Sequence, residues 1–159
     1  MPGRVIQGYF PRGYAPRGVA QRHAGHGGGP STPDAFALPA HLTMFTEVGG
    51  QPLPPPVRQK MESFFKTSFA DVRVHVGPQA PAIGALAFTQ GSHIHFAPGQ
   101  YNPASPQGQQ ILGHELAHVM QQRAGLVRNP FGSGVAVVRN HRLEAEADMM
   151  GMRAASHHG

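Results

Sequence analysis

His114 and His118 stand four residues apart in the stretch GHELAHVMQQ, and Glu115 directly follows the first of them. Imidazole binds divalent metals and a carboxylate can serve as ligand or general base, so these residue types carry the chemistry of a metal-assisted hydrolase. Four residues of α-helix advance about 400°, which points the two imidazoles within about 40° of each other and about 6 Å apart along the axis. Both can reach one ion. Glu115 is carried about 100° around the helix, toward the open side of that ion, where it can take a proton from water. Catalytic zinc takes three protein ligands and keeps a fourth place for water, so one ligand is still owed. Six residues beyond His118 stands Ala124, so that segment does not supply it. The downstream stretch LEAEAD offers Glu144 and Glu146, which lie about 200° apart on a helix and cannot face the same ion. Asp148 shares the face of Glu144, so Glu144 can bind while Asp148 accepts a hydrogen bond from the second nitrogen of a ligand histidine. Glu144 is the expected ligand, with Glu146 in reserve.

Positioning these groups requires two helices and a supporting sheet. Residues 106–123 carry Ile111, Leu112, Leu116, Val119 and Met120 as a buried stripe, and Gly125 stands where such a helix would stop. The stretch HRLEAEADMMGMRAA predicts a second helix with Leu143, Ala147, Met150 and Ala154 turned inward and with Met149, Met150 and Met152 filling core. Between them LVRNPFGSGVAVVRN is expected to be a loop. Earlier in the chain, Val57, Met61, Phe64 and Phe65 recur at helical spacing after Pro55 and Pro56. ADVRVHV alternates Val72, Val74 and Val76 with Arg73 and His75, and GSHIHFAPG alternates Ile94 and Phe96 with His93 and His95. Each predicts a strand. PAIGALAF is ambiguous. Gln122, one further four-residue step past His118, could help orient the site, but capping or surface roles are the default for it and for Gln121. The resulting fold class is a small α+β domain.

The 159 residues fit one domain. Residues 1–38 are rich in Gly and Pro, contain the near-repeat YFPRG and YAPRG, and read as a flexible basic arm, either a docking motif or a plain linker, ahead of a domain over 39–159. With no cysteine, a metal must rely on histidine and carboxylate. The net charge of +5 raises a nucleic-acid reading. Against it, Arg4, Arg12, Arg17 and Arg22 are spaced along the arm, and the rest of the chain shows no basic helix face. No apolar run reaches the length of a membrane span, and the N-terminus lacks the apolar stretch of a secretory signal.

Over about seventy residues the chain resembles the core domain of extracellular contractile injection systems, a metallopeptidase-like family. The resemblance rests on DVRVH, AFTQGSHIHFAPGQY and HELAHVMQQ in that order and spacing. The segment EAEAD also resembles the gluzincin pattern, in which the first glutamate of ExxAD, here Glu144, is the third zinc ligand and the aspartate, here Asp148, supports the site. By resemblance, the fold is zincin-like: an active-site helix, a short antiparallel sheet and a C-terminal glutamate-bearing helix. It also implies an edge strand beside the active-site helix that pairs with an extended substrate, which makes His93, His95 and Phe96 candidate substrate contacts. The implied partners are a protein or peptide substrate and components of the injection particle. The implied location is the cytoplasm of a producing bacterium, followed by loading into the particle and delivery.

The function expected from these readings is a zinc-dependent endopeptidase, an effector or cargo-processing protease, with zinc on His114, His118 and Glu144 and with Glu115 as the general base. The rival is a non-catalytic adaptor or structural component that keeps the zinc for stability.

Overall fold

A computed structural model describes residues 4–10, 35–38, 49–132 and 134–157. Among them are β1 (Arg4–Tyr9), β2 (Ala35–Ala37), α1 (Pro55–Phe65), β3 (Arg73–Val76), α2 (Gln79–Ala82), β4 (Ala87–Gln90), β5 (His93–Phe96), α3 (Pro106–Arg123), β6 (Val135–Val138) and α4 (His141–Ala155). The fold is α+β, as expected. Its sheet, however, is six-stranded, in the order β2-β6-β1-β4-β5-β3. It is also mixed: β1 runs parallel to β6 and β3 parallel to β5, while the other pairs are antiparallel. This corrects the expectation of a short antiparallel sheet.

The arm is corrected in the same way over its described parts. RVIQGY is β1, seated between β6 and β4 with Ile6 fully buried, and Ala35–Ala37 pairs with β6. The sheet therefore draws strands from both sides of the expected boundary at residue 38. Residues 11–34, with most of the near-repeat, lie outside the described residues. VAVV, expected within a loop, is β6, a short apolar run buried on both faces and preceded by Gly132 and Gly134 in the left-handed backbone region that glycine favours.

The sheet is covered on both faces. Leu112, Leu116 and Val119 of α3 pack with Val57 and Met61 of α1 against Val74, Ala87, Ile94 and Phe96. On the other face Ile6, Phe88, Val135 and Val137 pack with Ala80 and Ile83 around α2. Alternation along each strand divides the residues between these two layers.

Two caps set the helices that matter for chemistry. The Ser105 side chain accepts from Gly108 N at 2.9 Å and starts α3, and the Asn140 side chain accepts from Leu143 N at 3.0 Å and starts α4. The helices then meet through glycines. A Cβ on Gly113 would stand 3.0 Å from Gly151 Cα, and one on Gly151 would stand 2.5 Å from Gln110 O. Their absence lets the two backbones approach closely, which brings the residues one and two turns before Gly151 against the face bearing His114 and His118. On α4, Ala147 and Ala154 are buried as expected, but Met149 and Met152 are 41% and 52% exposed and do not fill core. None of the described helices is long and apolar enough to cross a membrane.

Candidate metal centre

His114 and His118 project from one face of α3 and both are buried. Their Nε2 atoms are 3.1 Å apart. Glu144, in the first turn of α4, places Oε1 3.4 Å from His114 Nε2 and Oε2 3.4 Å from His118 Nε2. These three residues form a group that could hold a metal ion. Ligand atoms about 2.0–2.1 Å from a tetrahedral zinc stand about 3.3–3.4 Å apart, and the observed separations are close to that spacing.

The hydrogen bonds around the imidazoles decide what the group can accept. Gln121 Oε1 lies 2.8 Å from His118 Nδ1, and Asp148 Oδ1 lies 2.9 Å from His114 Nδ1. The Gln121 oxygen can only accept, so His118 Nδ1 is the protonated nitrogen, while the Asp148 carboxylate faces His114 Nδ1 as a charge at ion-pair distance without the geometry of a hydrogen bond. His118 Nε2 therefore turns its lone pair toward His114 Nε2 and the Glu144 carboxylate, and a neutral His114 protonated at Nδ1, as the facing Asp148 charge favours, does the same. A set of converging acceptors in a buried place needs a cation between them. Without a metal, a proton takes that role: burial opposes the charge on His114, but its bonds to Asp148 and Glu144 prevail and hold its pKa up to about 10. Burial likewise opposes charge on Glu144, yet the bonds from His114 and His118 bring it down to about 2. The donor set fits a divalent ion, with imidazole and carboxylate ligands of the kind zinc takes.

Glu115 is completely buried. The Thr89 hydroxyl of β4 donates to its Oε1 at 2.6 Å, while Oε2 has no hydrogen-bond partner. Burial raises its pKa, against the opposing pull of His114, His118 and the Thr89 bond. A cleft of about 350 Å³ opens onto the group, lined by Gly8, Tyr9, His114, Arg139, Glu144 and Asp148 among others. The Tyr9 and His114 rings meet in a T-shaped arrangement with centroids 5.1 Å apart.

Gln121, expected to cap the helix or lie on the surface, is instead buried against His118. Its Oε1 also accepts from Gln7 Nε2 at 2.9 Å, and its Nε2 donates to Leu143 O at 3.0 Å and to Glu146 Oε1 at 2.8 Å. One amide thus fixes the His118 ring, ties α3 to β1 and holds the start of α4. Glu146, the reserve ligand, is engaged there and is not in the metal-capable group. Gln122 instead fastens α3 to the sheet through Gly91 N, Gln7 Oε1 and Thr89 O.

His93, His95 and Phe96 do not join the centre. Their strand β5 is paired on both sides, with β4 and with β3, so it has no free backbone edge for a substrate. Phe96 is core, and His95 is buried between Phe88 and His75 in ring stacks of 4.6 Å and 4.4 Å. His93 Nδ1 lies 2.9 Å from His75 Nε2. The edge-strand role is therefore corrected: strand alternation places these histidines on the face turned away from α3.

The histidine-bearing helix, the β4–β5 hairpin and α1 form one contiguous segment. Residues 52–126 match the eCIS core domain family. Within the matched segment lie His114, Glu115, His118 and Gln121, whereas β1, β6 and α4, with Glu144 and Asp148, lie outside it. No curated protein and no solved structure matches the chain.

Proposed function

We propose that this chain is a zinc-dependent endopeptidase associated with a contractile injection system, acting as an effector or as a protease that processes cargo. The observation that carries the reading is the convergence of His114, His118 and Glu144, three ligands with the spacing zinc needs, on the helix that also carries Glu115. The match over residues 52–126 supports the association with the injection system. A chain of this kind is made in the cytoplasm of the producing cell and delivered by the particle.

Bound zinc supplies Lewis acidity and brings the pKa of water toward about 7. The rest is done by side chains. Glu115 accepts a proton at Oε2, the oxygen that Thr89 leaves free, and passes it to the leaving amine. Asp148 and Gln121 hold the two rings in the tautomer that turns Nε2 inward. The cleft beside Tyr9 and Arg139 admits the peptide.

A second reading, a zinc-stabilised adaptor of the particle, is favoured by one observation: Glu115 is wholly buried and does not line the cleft. Glu115→Gln separates the two. In an assay of metal content paired with cleavage of a peptide library, the endopeptidase loses about 100-fold or more of its turnover while zinc content and Tm stay put. Equal cleavage by both forms, or no cleavage by zinc-loaded wild type, sinks the enzyme reading.

A further inference from the structure

The cleft at the metal centre holds one cationic side chain that the centre itself does not use. Arg139, in the link between β6 and α4, lines it together with Gly8, Tyr9, Phe10 and Glu144. The guanidinium carbon stands over the Phe10 ring, 4.9 Å from its centroid. Gly8 makes room for that platform: a Cβ there would lie 2.9 Å from Phe10 Cε2 and 3.1 Å from Ala87 O, so a larger residue would push the ring aside. A ring face takes up charge but is no carboxylate, so the guanidinium keeps its fork of N–H donors for an acceptor. The carboxylates of the centre are committed elsewhere. Glu144 spans the two histidines, Asp148 stands 2.9 Å from His114 Nδ1, and Glu115 is wholly buried and outside the lining. Among the described residues no carboxylate pairs with Arg139. With a divalent cation in place, Glu144 and Asp148 offset its charge, and the charge of Arg139 is left over in the lining.

We propose that the cleft selects peptides bearing a carboxylate, and that Arg139 on its Phe10 platform holds that carboxylate beside the metal centre. The inference rests on the reading that this cleft admits a peptide. Guanidinium meets a carboxylate through two parallel charge-assisted N–H···O bonds, whereas the amide of the same shape offers one acceptor, no charge and an NH2 group that faces the donors of the arginine. The cleft, at about 350 Å³, is near the small end of ligand sites and takes about two or three residues. The carboxylate it holds therefore belongs to an acidic side chain close to the residue at the metal, or to a chain end that lies equally close.

The test is calorimetric titration of the full zinc-loaded chain carrying Glu115→Gln, so that bound peptide is not consumed. The probes are acetyl-Ala-Ala-Glu-Ala-Ala-amide, the same peptide with Gln in place of Glu, and the Gln peptide with a free terminal carboxylate. The expected result is that a carboxylate peptide binds at least tenfold tighter than the peptide that has none, and which of the two leads tells a side-chain from a terminal carboxylate. Arg139→Gln should abolish the preference with Tm and zinc content held, while Arg139→Lys, which keeps the charge and loses the fork, should retain part of it. Raising the salt from about 0.1 M to about 1 M should shrink it. Absence of binding by all three peptides, equal affinity for all three, or a preference undiminished by Arg139→Gln each overturns the proposal. Cleavage by the wild-type chain separates this inference from the reading beneath it: equal cleavage of the Glu and Gln peptides keeps the endopeptidase and overturns the carboxylate preference, whereas a preference in binding with no cleavage does the reverse.

Discussion

Replacing Gly151 with alanine adds one methyl group where α3 and α4 touch. In an ordinary helix interior that change stabilises by up to about 1 kcal/mol, because glycine loses more backbone entropy on folding. Here the new Cβ would lie 2.5 Å from Gln110 O and 3.0 Å from His114 N, short of the 3.4 Å at which ordinary contact begins. The closer atom is backbone of a buried helix and cannot swing aside, so α4 must withdraw by close to 1 Å. Overpacking of this kind costs about 1–3 kcal/mol, which outweighs the propensity gain. Glu144 lies two turns before Gly151 on the same face of α4, and it moves with the helix. Metal sites hold their ligand distances to about 0.2 Å, so a displacement several times larger removes the third ligand. Thermal unfolding of the metal-free chain should show a Tm lowered by several degrees, at roughly 2–4 °C per kcal/mol for a chain of this size. Zinc titration against a chromophoric chelator should show affinity reduced by at least tenfold. A Gly151→Ala chain with Tm equal to or above that of wild type and with unaltered zinc affinity would refute the close-packing argument.

Asp148→Asn keeps size and removes the charge that faces His114 Nδ1; zinc affinity should fall about 10- to 100-fold, and a change under twofold in a competition titration contradicts the role given to Asp148. Thr89→Val leaves the buried Glu115 Oε1 without its 2.6 Å donor, so denaturant unfolding of the metal-free chain should show a loss of about 1–3 kcal/mol, while an unchanged midpoint shows that the bond contributes nothing. His95 has its pKa lowered to about 3, by burial first and then by His75 and His93. The unfolded chain therefore binds a proton near pH 6.5 that the folded chain refuses. Stability is full above pH 6.5 and declines as pH falls toward 3, by on the order of 3 kcal/mol at pH 4 from this residue. Unfolding followed at stepped pH, with His95→Phe flattening the slope between pH 6 and 4, checks the sign, and an unaltered slope in that variant contradicts it.

What the sequence disclosed follows from which geometry is local. His114 to His118, and Glu144 to Asp148, are four-residue helical steps, so their shared faces could be read without knowing where the helices sit. The preference for Glu144 over Glu146 came from the same rule, through Asp148. Gln121 was legible on similar terms: at three residues past His118 it lies about 60° from it on one side, against about 40° for Gln122 on the other, and the three-residue step should have been weighed with the four-residue one. The strands were harder. RVIQGY has too few apolar positions to declare a period within a Gly- and Pro-rich stretch, and its partners β4 and β6 are about 80 and 130 residues away along the chain. Alternation did assign His93 and His95 to one face of β5. It could not say that β4 and β3 flank that strand on both sides, because pairing is a long-range contact that leaves no local mark.

That division of the chain bears on how the metal centre exists at all. The segment 52–126 carries both imidazoles and Glu115, but it ends before the carboxylate that completes the set. Glu144 arrives only when α4 docks, and α4 begins at the end of β6, which is held in the sheet by β1. Gln121 makes this dependence specific, since the same amide group reaches Gln7 of β1, His118 of α3 and the Leu143 carbonyl of α4. Two facing lone pairs on α3 are a liability by themselves, and the N-terminal strand and C-terminal helix together turn them into a cation site. Metal affinity therefore reports the docking of the whole chain, and a change at β1 should be felt at the ligands through Gln121 before any ligand is touched.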